Sequence, residues 1–158
     1  MPKVERFDDL KCWQETRALT RDISRLVEND ALSRDFCLRD QLIAAAVSVM
    51  TNITEGFARY HRAEFIRFLD DVQSSAAEVK SLLYVVLDQQ YAAAETVVKL
   101  QEQSETCQQM TLGLLKHVRR TMDGDGQAAN EPAITYNSHS SGWDLSASLV
   151  AKPEPSPG

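Results

Sequence analysis

Apolar residues recur at helical spacing in four long segments of the chain, and short polar stretches separate the segments. Positions three and four apart lie on the same face of a helix, so each segment carries one apolar stripe. The pattern predicts helices over residues 7–27, 34–55, 63–89 and 93–122. No alternating run of β-branched residues competes with this interpretation.

Residues at the ends of these segments suggest where the helices begin and end. Asp8 or Asp9 is the expected N-cap of the first helix, and Ser33 is the expected N-cap of the second. Gly56 is the expected C-terminal stop of the second helix, because glycine adopts the left-handed conformation without strain.

The third and fourth segments carry the most regular stripes, in which the step alternates between three and four residues. The stripes consist of Phe65, Phe68, Val72, Ala76, Val79, Leu83 and Val86, and of Val97, Leu100, Ser104, Cys107, Thr111, Leu114 and Val118. This spacing is typical of helix bundles and coiled coils. Two members of the fourth stripe, Ser104 and Thr111, are polar. They indicate either looser packing or the approach of a neighbouring subunit.

Long helices of similar length with short connections favour an up-down-up-down antiparallel four-helix bundle. We therefore predict an all-α protein with the bundle at residues 1–122 and a flexible, acidic tail rich in Pro, Ser and Gly at residues 123–158. The tail is expected to be largely disordered. Within it, Trp143, Leu145 and Leu149 are the residues from which a short docking segment would form on a partner.

Composition argues against secretion, a metal site and catalysis. The start of the chain is charged rather than apolar, so we expect a cytoplasmic protein. Cys12, Cys37 and Cys107 are widely spaced, which favours reduced thiols packed in or near helix interfaces. Glu-x-x-His pairs, glycine-rich phosphate loops and Gly-x-Ser-x-Gly elbows are missing from the sequence, so we expect no enzyme, no metal and no cofactor.

The net charge of −6 is unevenly distributed. Residues 1–122 contain 16 Lys and Arg against 18 Asp and Glu, whereas residues 123–158 contain one against five. An up-down-up-down bundle brings together the start of the first helix, the loop between the second and third, and the end of the fourth. That end would gather Lys3, Arg6, Lys11, Arg59, Arg62, Lys116, Arg119 and Arg120, with His61 and His117 nearby. The opposite end would gather Glu28, Asp30, Asp35, Asp40, Asp88 and Glu95, with Arg34 and Arg39 among them.

Basic and aromatic residues alternate in Arg59-Tyr60-His61-Arg62, and such a mixture can neutralise phosphates and stack bases. The candidate nucleic-acid-binding residues are Arg59, His61, Arg62, Arg67, Lys116, Arg119 and Arg120. Alternatively, the last three only complement the helix dipole. Glu55, at a helix C-terminus, is expected to pair with Arg59. Trp13 and Phe57 are assigned to an oligomer interface.

Four stretches of the chain, in this order and spacing, resemble a known family. They are Phe7-Asp8-Asp9-Leu10-Lys11-Cys12-Trp13-Gln14, Gln41-Leu42-Ile43-Ala44-Ala45-Ala46-Val47-Ser48, Thr51-Asn52-Ile53-Thr54-Glu55-Gly56 and Glu64-Phe65-Ile66-Arg67-Phe68-Leu69. The chain resembles the four-helix bundle proteins named for 23S rRNA intervening sequences, to which the accessory variability proteins of diversity-generating retroelements are related. The family's usual motif is Ser-Asn-Ile-Ala-Glu-Gly, where this chain has Thr51 and Thr54.

The resemblance implies a ring-like homo-oligomer, with a pentamer favoured, and partners that include RNA or DNA and a reverse transcriptase. The favoured hypothesis is a non-enzymatic accessory protein that binds nucleic acid. The other is a protein-only scaffold that recruits a partner through its helix faces and tail. Removal of the acidic tail is expected to raise nucleic-acid affinity at low salt.

Overall fold

The computed structural model describes residues 3–125, 143–144 and 147–151. These residues form four α-helices: α1 (Lys11–Leu26), α2 (Phe36–Ala58), α3 (Arg62–Asp88) and α4 (Ala94–Asp125). Short 3₁₀ turns occupy Phe7–Asp9, Leu32–Arg34 and Ala147–Leu149, and two-residue strands occupy Lys3–Val4 (β1) and Trp143–Asp144 (β2). The predicted all-α bundle is confirmed.

The apolar stripes predicted from the sequence form the core of the bundle. Every member of the third and fourth stripes is buried, including both polar members, Ser104 and Thr111. Burying a side chain the size of leucine or phenylalanine contributes about 1.5–3 kcal/mol, so this contiguous core is the main source of stability.

Hydrogen bonds between helices fix how far each helix is shifted along its neighbour. The hydroxyl of Ser104 donates to the carbonyl oxygen of Ala76 at 2.8 Å. The amides of Gln73 and Gln108 each donate to the other residue's carbonyl oxygen at 3.1 Å. Ser104 therefore pairs α4 with α3 in one register, and its polarity does not require a neighbouring subunit.

Both predicted N-caps differ from the structure. Asp8 and Asp9 lie in the 3₁₀ turn, and α1 begins after Leu10 without a side-chain cap. Asp35, rather than Ser33, caps α2, because its carboxylate accepts the backbone N–H of Leu38 at 3.1 Å.

Gly56 does not stop α2. The helix continues to Ala58, and Tyr60 takes the left-handed conformation instead, with φ of 59°. A Cβ atom on Gly56 would lie 2.7 Å from the Cβ of Phe68, so the glycine is required where α3 approaches.

The cysteines divide into two buried and one exposed. Cys12 and Cys107 lie in the core, whereas Cys37 is exposed, which contradicts its predicted place near a helix interface. Burial raises the pKa of the Cys12 thiol to about 12. Burial, and to a smaller extent the nearby carboxylate of Glu15, raise the pKa of Cys107 to about 12. Both buried thiols therefore stay protonated at neutral pH and are poor nucleophiles.

A segment near the end of the chain lies against its start. The strands β1 and β2 pair antiparallel, and Leu10 forms an isolated bridge with Val150. The backbone N–H of Ala151 donates to the carbonyl oxygen of Asp9 at 2.6 Å. The predicted docking residues Trp143 and Leu149 thus belong to segments that lie against the chain's own bundle, while Leu145 and the predicted disordered residues 126–142 and 152–158 lie outside the described part.

Candidate nucleic-acid interface

Two side-chain hydrogen bonds show which helix ends lie together. The indole N–H of Trp13 donates to the hydroxyl of Thr54 at 3.1 Å, which brings the start of α1 to the end of α2. The guanidinium of Arg62 donates to the carbonyl oxygen of Thr121 at 3.0 Å, which brings the start of α3 to the end of α4. The predicted grouping of these ends is therefore correct.

We name the seven predicted binding residues at this end of the bundle the basic pole. They are Arg59, His61, Arg62, Arg67, Lys116, Arg119 and Arg120. All are exposed except Arg62, which is half-buried. His117, which the sequence placed nearby, is 8% exposed and lies in the core instead.

Two cations of the basic pole form exposed ion pairs. Arg67 binds Glu64 at 3.1 Å, and Arg119 binds Asp70 with both carboxylate oxygens, at 3.0 and 3.3 Å. An exposed pair contributes about 0–1 kcal/mol, so a phosphate can displace the carboxylate at small cost. The spacing of Glu64 and Arg67 on one helix face indicates the first pair, whereas Asp70 and Arg119 lie on different helices and no local pattern predicts the second.

Four members of the basic pole form no ion pair with any residue in the described part of the chain. These are Arg59, His61, Lys116 and Arg120. The predicted pair between Glu55 and Arg59 does not form. The Arg59 guanidinium instead lies over the ring of Phe68, 5.5 Å from its centroid.

Phe68 orients two guanidinium groups at once, because Arg67 also lies over its ring, at 4.9 Å. Each such cation–π contact is worth about 0.5–1 kcal/mol at an exposed site, and it leaves the N–H donors at the guanidinium edge available. A planar guanidinium held in this way suits two-point contact with a phosphate. Sequence reasoning assigned Phe68 to the core alone and missed this role.

The corner between α2 and α3 exposes an aromatic and an imidazole side chain. Tyr60 is 49% exposed, and its left-handed backbone projects it at the end of the bundle. His61 is the N-cap residue of α3 but makes no side-chain capping hydrogen bond. The corner therefore presents stacking and hydrogen-bonding groups beside the arginines.

A second charged cluster lies near the start of α1. Arg6 and Asp8 form an exposed ion pair, and the hydrogen bond from Arg6 holds the pKa of Asp8 below its ordinary value. Lys11 is half-buried. Arg6 thus adds less uncompensated positive charge to this end of the bundle than the sequence suggested.

The two predicted interface residues make contacts within their own bundle. Trp13 packs edge-on against Phe7, with ring centroids 5.1 Å apart, in addition to its hydrogen bond with Thr54. Phe57 is 6% exposed and packs edge-on against Phe65. Their assignment to an oligomer interface stays a prediction.

Across residues 3–125, 143–144 and 147–151, no group of three His, Cys, Asp or Glu side chains is arranged to hold a metal ion. Over the same ranges, every helix is too short or too polar to cross a membrane.

Comparison with known proteins identifies the family and the fold. The family model of the 23S rRNA-intervening sequence protein matches residues 8–113. A crystal structure of a protein with unknown function from the S23 ribosomal protein family of Bacteroides thetaiotaomicron VPI-5482 superimposes with a TM-score of 0.61. It is 18% identical, and the match covers 66% of this chain and 98% of that one. No curated protein matches the chain. Since the family model spans more than half of the sequence, the chain belongs to the 23S rRNA-intervening sequence protein family.

Proposed function

We propose that this protein is a non-enzymatic, homo-oligomeric accessory protein that binds nucleic acid through the basic pole. One observation carries this function: the hydrogen bond from Arg62 to Thr121 joins the α2–α3 corner to the end of α4. Cations from two separate stretches of the chain therefore form one surface, despite the net negative charge of the molecule.

The chemistry of the basic pole suits a phosphate backbone. Guanidinium groups contact phosphates at two points, and lysine adds a point charge. If Arg59, Lys116 and Arg120 each neutralise one phosphate, the affinity falls about 40-fold between 50 and 200 mM salt.

The competing interpretation is that cations at the end of α4 only offset the helix dipole. The dipole acts mainly within the last turn of a helix, whereas α4 continues to Asp125 and has no basic residue in its last turn. The dipole of α2 does favour a cation at Arg59, its C-cap residue, but it does not account for the orientation of that guanidinium by Phe68. The presence of exposed Tyr60 and His61 beside Arg59 also favours a binding surface over dipole compensation alone.

Retention of a fluorescent single-stranded RNA or DNA by the purified protein tests this function. We expect Arg59→Gln, Lys116→Gln and Arg120→Gln together to lower affinity at least tenfold at low salt, because three phosphate contacts are lost. The matched control is Arg21→Gln, Arg34→Gln and Lys99→Gln, which removes the same charge at the opposite end. Equal loss in both triple variants, or no retention by the natural protein at low salt, contradicts the proposed site.

The same proposal includes two kinds of protein partner. One is further copies of this chain, with a pentamer favoured, and the other is a reverse transcriptase. Several large apolar side chains are exposed on one copy and support self-association. They are Phe36, Val47, Tyr84, Val85 and Val98. Light scattering on a gel-filtration column is expected to give about five times the chain mass of 17.7 kDa. A mass of one chain at micromolar concentration contradicts the ring.

The same exposed apolar side chains favour a second candidate function, a protein-only scaffold. In that case a partner is captured through helix faces, and the capture survives nuclease treatment and high salt. A partner retained only through RNA or DNA is released by nuclease.

A further inference from the structure

An open groove of about 1070 Å³ runs between α1 and the first half of α4, at the end of the bundle opposite the basic pole. Its walls come from residues 15–29 on one side and residues 92–106 on the other. We name it the acidic groove. Fifteen residues of helix span about 21 Å, so the groove is long enough for about four turns of a further helix.

Side chains at the rim of the acidic groove carry more negative than positive charge. The charged members are Glu15, Asp22, Glu28, Glu102, Arg25 and Lys99. Asp22 and Arg25 already form an ion pair at 3.7 Å, and Asp22 also accepts a hydrogen bond from Gln103 at 3.3 Å. Among the other lining residues, Glu15, Glu28 and Glu102 carry three negative charges and Lys99 carries one positive charge, which leaves a net charge of about −2 for a ligand to neutralise.

Apolar and small side chains line the groove between the carboxylates. Leu26 and Leu100 lie there with 7% and 6% of their surfaces exposed, and Ala92 and Ala93 flank them. A helix with one apolar face and one basic face therefore matches both the lining and the charge of the groove.

Charge excludes one occupant from the chain itself. Residues 123–158 carry five acidic side chains against one basic, so like charges would oppose their entry. Within that region, residues 143–144 and 147–151 lie instead against the first residues of the chain, near the other end of the bundle. The occupant is thus expected to come from another protein.

We infer that the acidic groove is a docking site for a basic amphipathic helix of a protein partner. The site shares no residue with the basic pole. One copy can therefore hold nucleic acid at one end and the helix of a protein at the other, and each interaction can be tested without disturbing the other.

The probe is a peptide of about 14 residues made of lysine and leucine, with the leucines at helical spacing and both ends blocked. A peptide with glutamate in place of lysine and one with the leucines out of helical register serve as controls. We expect Glu15→Gln, Glu28→Gln and Glu102→Gln together to weaken binding of the lysine peptide about tenfold. The matched triple Glu55→Gln, Glu78→Gln and Glu95→Gln, which changes net charge equally outside the groove, is expected to change affinity by less than about twofold.

Lys99→Glu is expected to change the affinity in the opposite direction. It adds negative charge to the groove and should tighten binding of the lysine peptide about threefold. A misfolded variant would not produce that gain. Hydrogen exchange is expected to show protection by the peptide at residues 15–29 and 92–106.

Three results overturn the inference. Equal weakening of peptide binding in both triple variants would mean that overall charge, rather than the groove, determines the affinity. Protection from hydrogen exchange elsewhere on the bundle would mean that the peptide binds outside the groove. A drop in oligomer mass in the groove triple alone would make a second copy the occupant.

Discussion

At the crossing of α2 and α3, one glycine determines how near the two helices come. A methyl group on Gly56 would lie 2.7 Å from Phe68 Cβ and 2.9 Å from Phe65 Cδ2. Neither neighbour can yield easily, because both rings are packed in the core. The same ring of Phe68 carries the guanidinium groups of Arg59 and Arg67, so a packing constraint inside the bundle also shapes the basic pole.

Gly56→Ala is therefore expected to destabilise the protein by about 1–3 kcal/mol through overpacking. Gly113→Ala is the matched control, because its methyl group would meet only Leu149 Cδ2, at 3.9 Å. There the higher helix propensity of alanine is expected to stabilise by about 0.5–1 kcal/mol. Urea unfolding of both variants measures whether the free energy of unfolding falls or rises in each. Stabilisation by Gly56→Ala would mean that α3 can move away from α2 at little cost.

Tyr60 is held in a conformation that costs an ordinary residue about 1–2 kcal/mol. We expect Tyr60→Gly to raise the free energy of unfolding by up to about that amount and to lower RNA affinity, because the strained residue supplies a stacking ring. Gln90 has a similar φ of 56° at the other end of α3. Gln90→Gly is expected to stabilise without any effect on RNA. If Tyr60→Gly leaves RNA retention unchanged, the tyrosine has no part in binding.

At the scale of whole helices, α4 carries the two polar residues that interrupt its apolar stripe, and the structure gives them different roles. The Ser104 hydroxyl donates to α3, whereas the buried Thr111 hydroxyl finds no partner among the described residues. A satisfied buried hydroxyl stabilises a helix pair, and an unsatisfied one costs free energy.

Thr111→Val, which replaces the unpaired hydroxyl by a methyl group of similar size, is expected to stabilise by about 1 kcal/mol. Ser104→Ala removes the tie to Ala76 and is expected to destabilise by about 0.5–1.5 kcal/mol. Thermal unfolding followed by circular dichroism distinguishes the two directions. Destabilisation by Thr111→Val would indicate that its hydroxyl is hydrogen-bonded in solution.

Helix stripes were predictable because a core position depends mainly on local periodicity, and every member of the third and fourth stripes is buried. Predictions that depended on tertiary neighbours failed. The local sequence predicts a stop at Gly56, whereas the glycine allows the close approach of Phe68 from the next helix. The local sequence also pairs Arg59 with Glu55, whereas the Arg59 guanidinium lies over the ring of Phe68. The grouping of the helix ends succeeded because helix order and length alone determine it.

Considered as a whole molecule, the bundle separates its charges along its length. The basic pole lies at one end, and the acidic groove lies at the other, between α1 and α4. The described end of the chain, residues 147–151, packs beside the start of α1, and β2 pairs with β1. Val4 and Leu10, which pair with these segments, are 1% and 0% exposed.

Removal of residues 126–158 is therefore expected to have two opposite effects. Stability should fall by about 1–3 kcal/mol, because Val4 and Leu10 lose apolar cover. RNA affinity at low salt should rise, because residues 126–158 carry three acidic side chains against one basic. Urea unfolding and RNA retention measure the two effects, and Leu149→Ala controls for lost packing without loss of charge. Unchanged stability would show that the terminal segment is not docked in solution.

The pairing of β1 with β2 joins residues about 140 positions apart in the sequence. A nascent chain emerging from the ribosome can complete the helical core well before it acquires Trp143. Until then Val4 and Leu10 remain uncovered, available to chaperones and to neighbouring nascent chains. Closing so distant a contact is slow compared with helix pairing, so this small sheet should be the last part of the molecule to form.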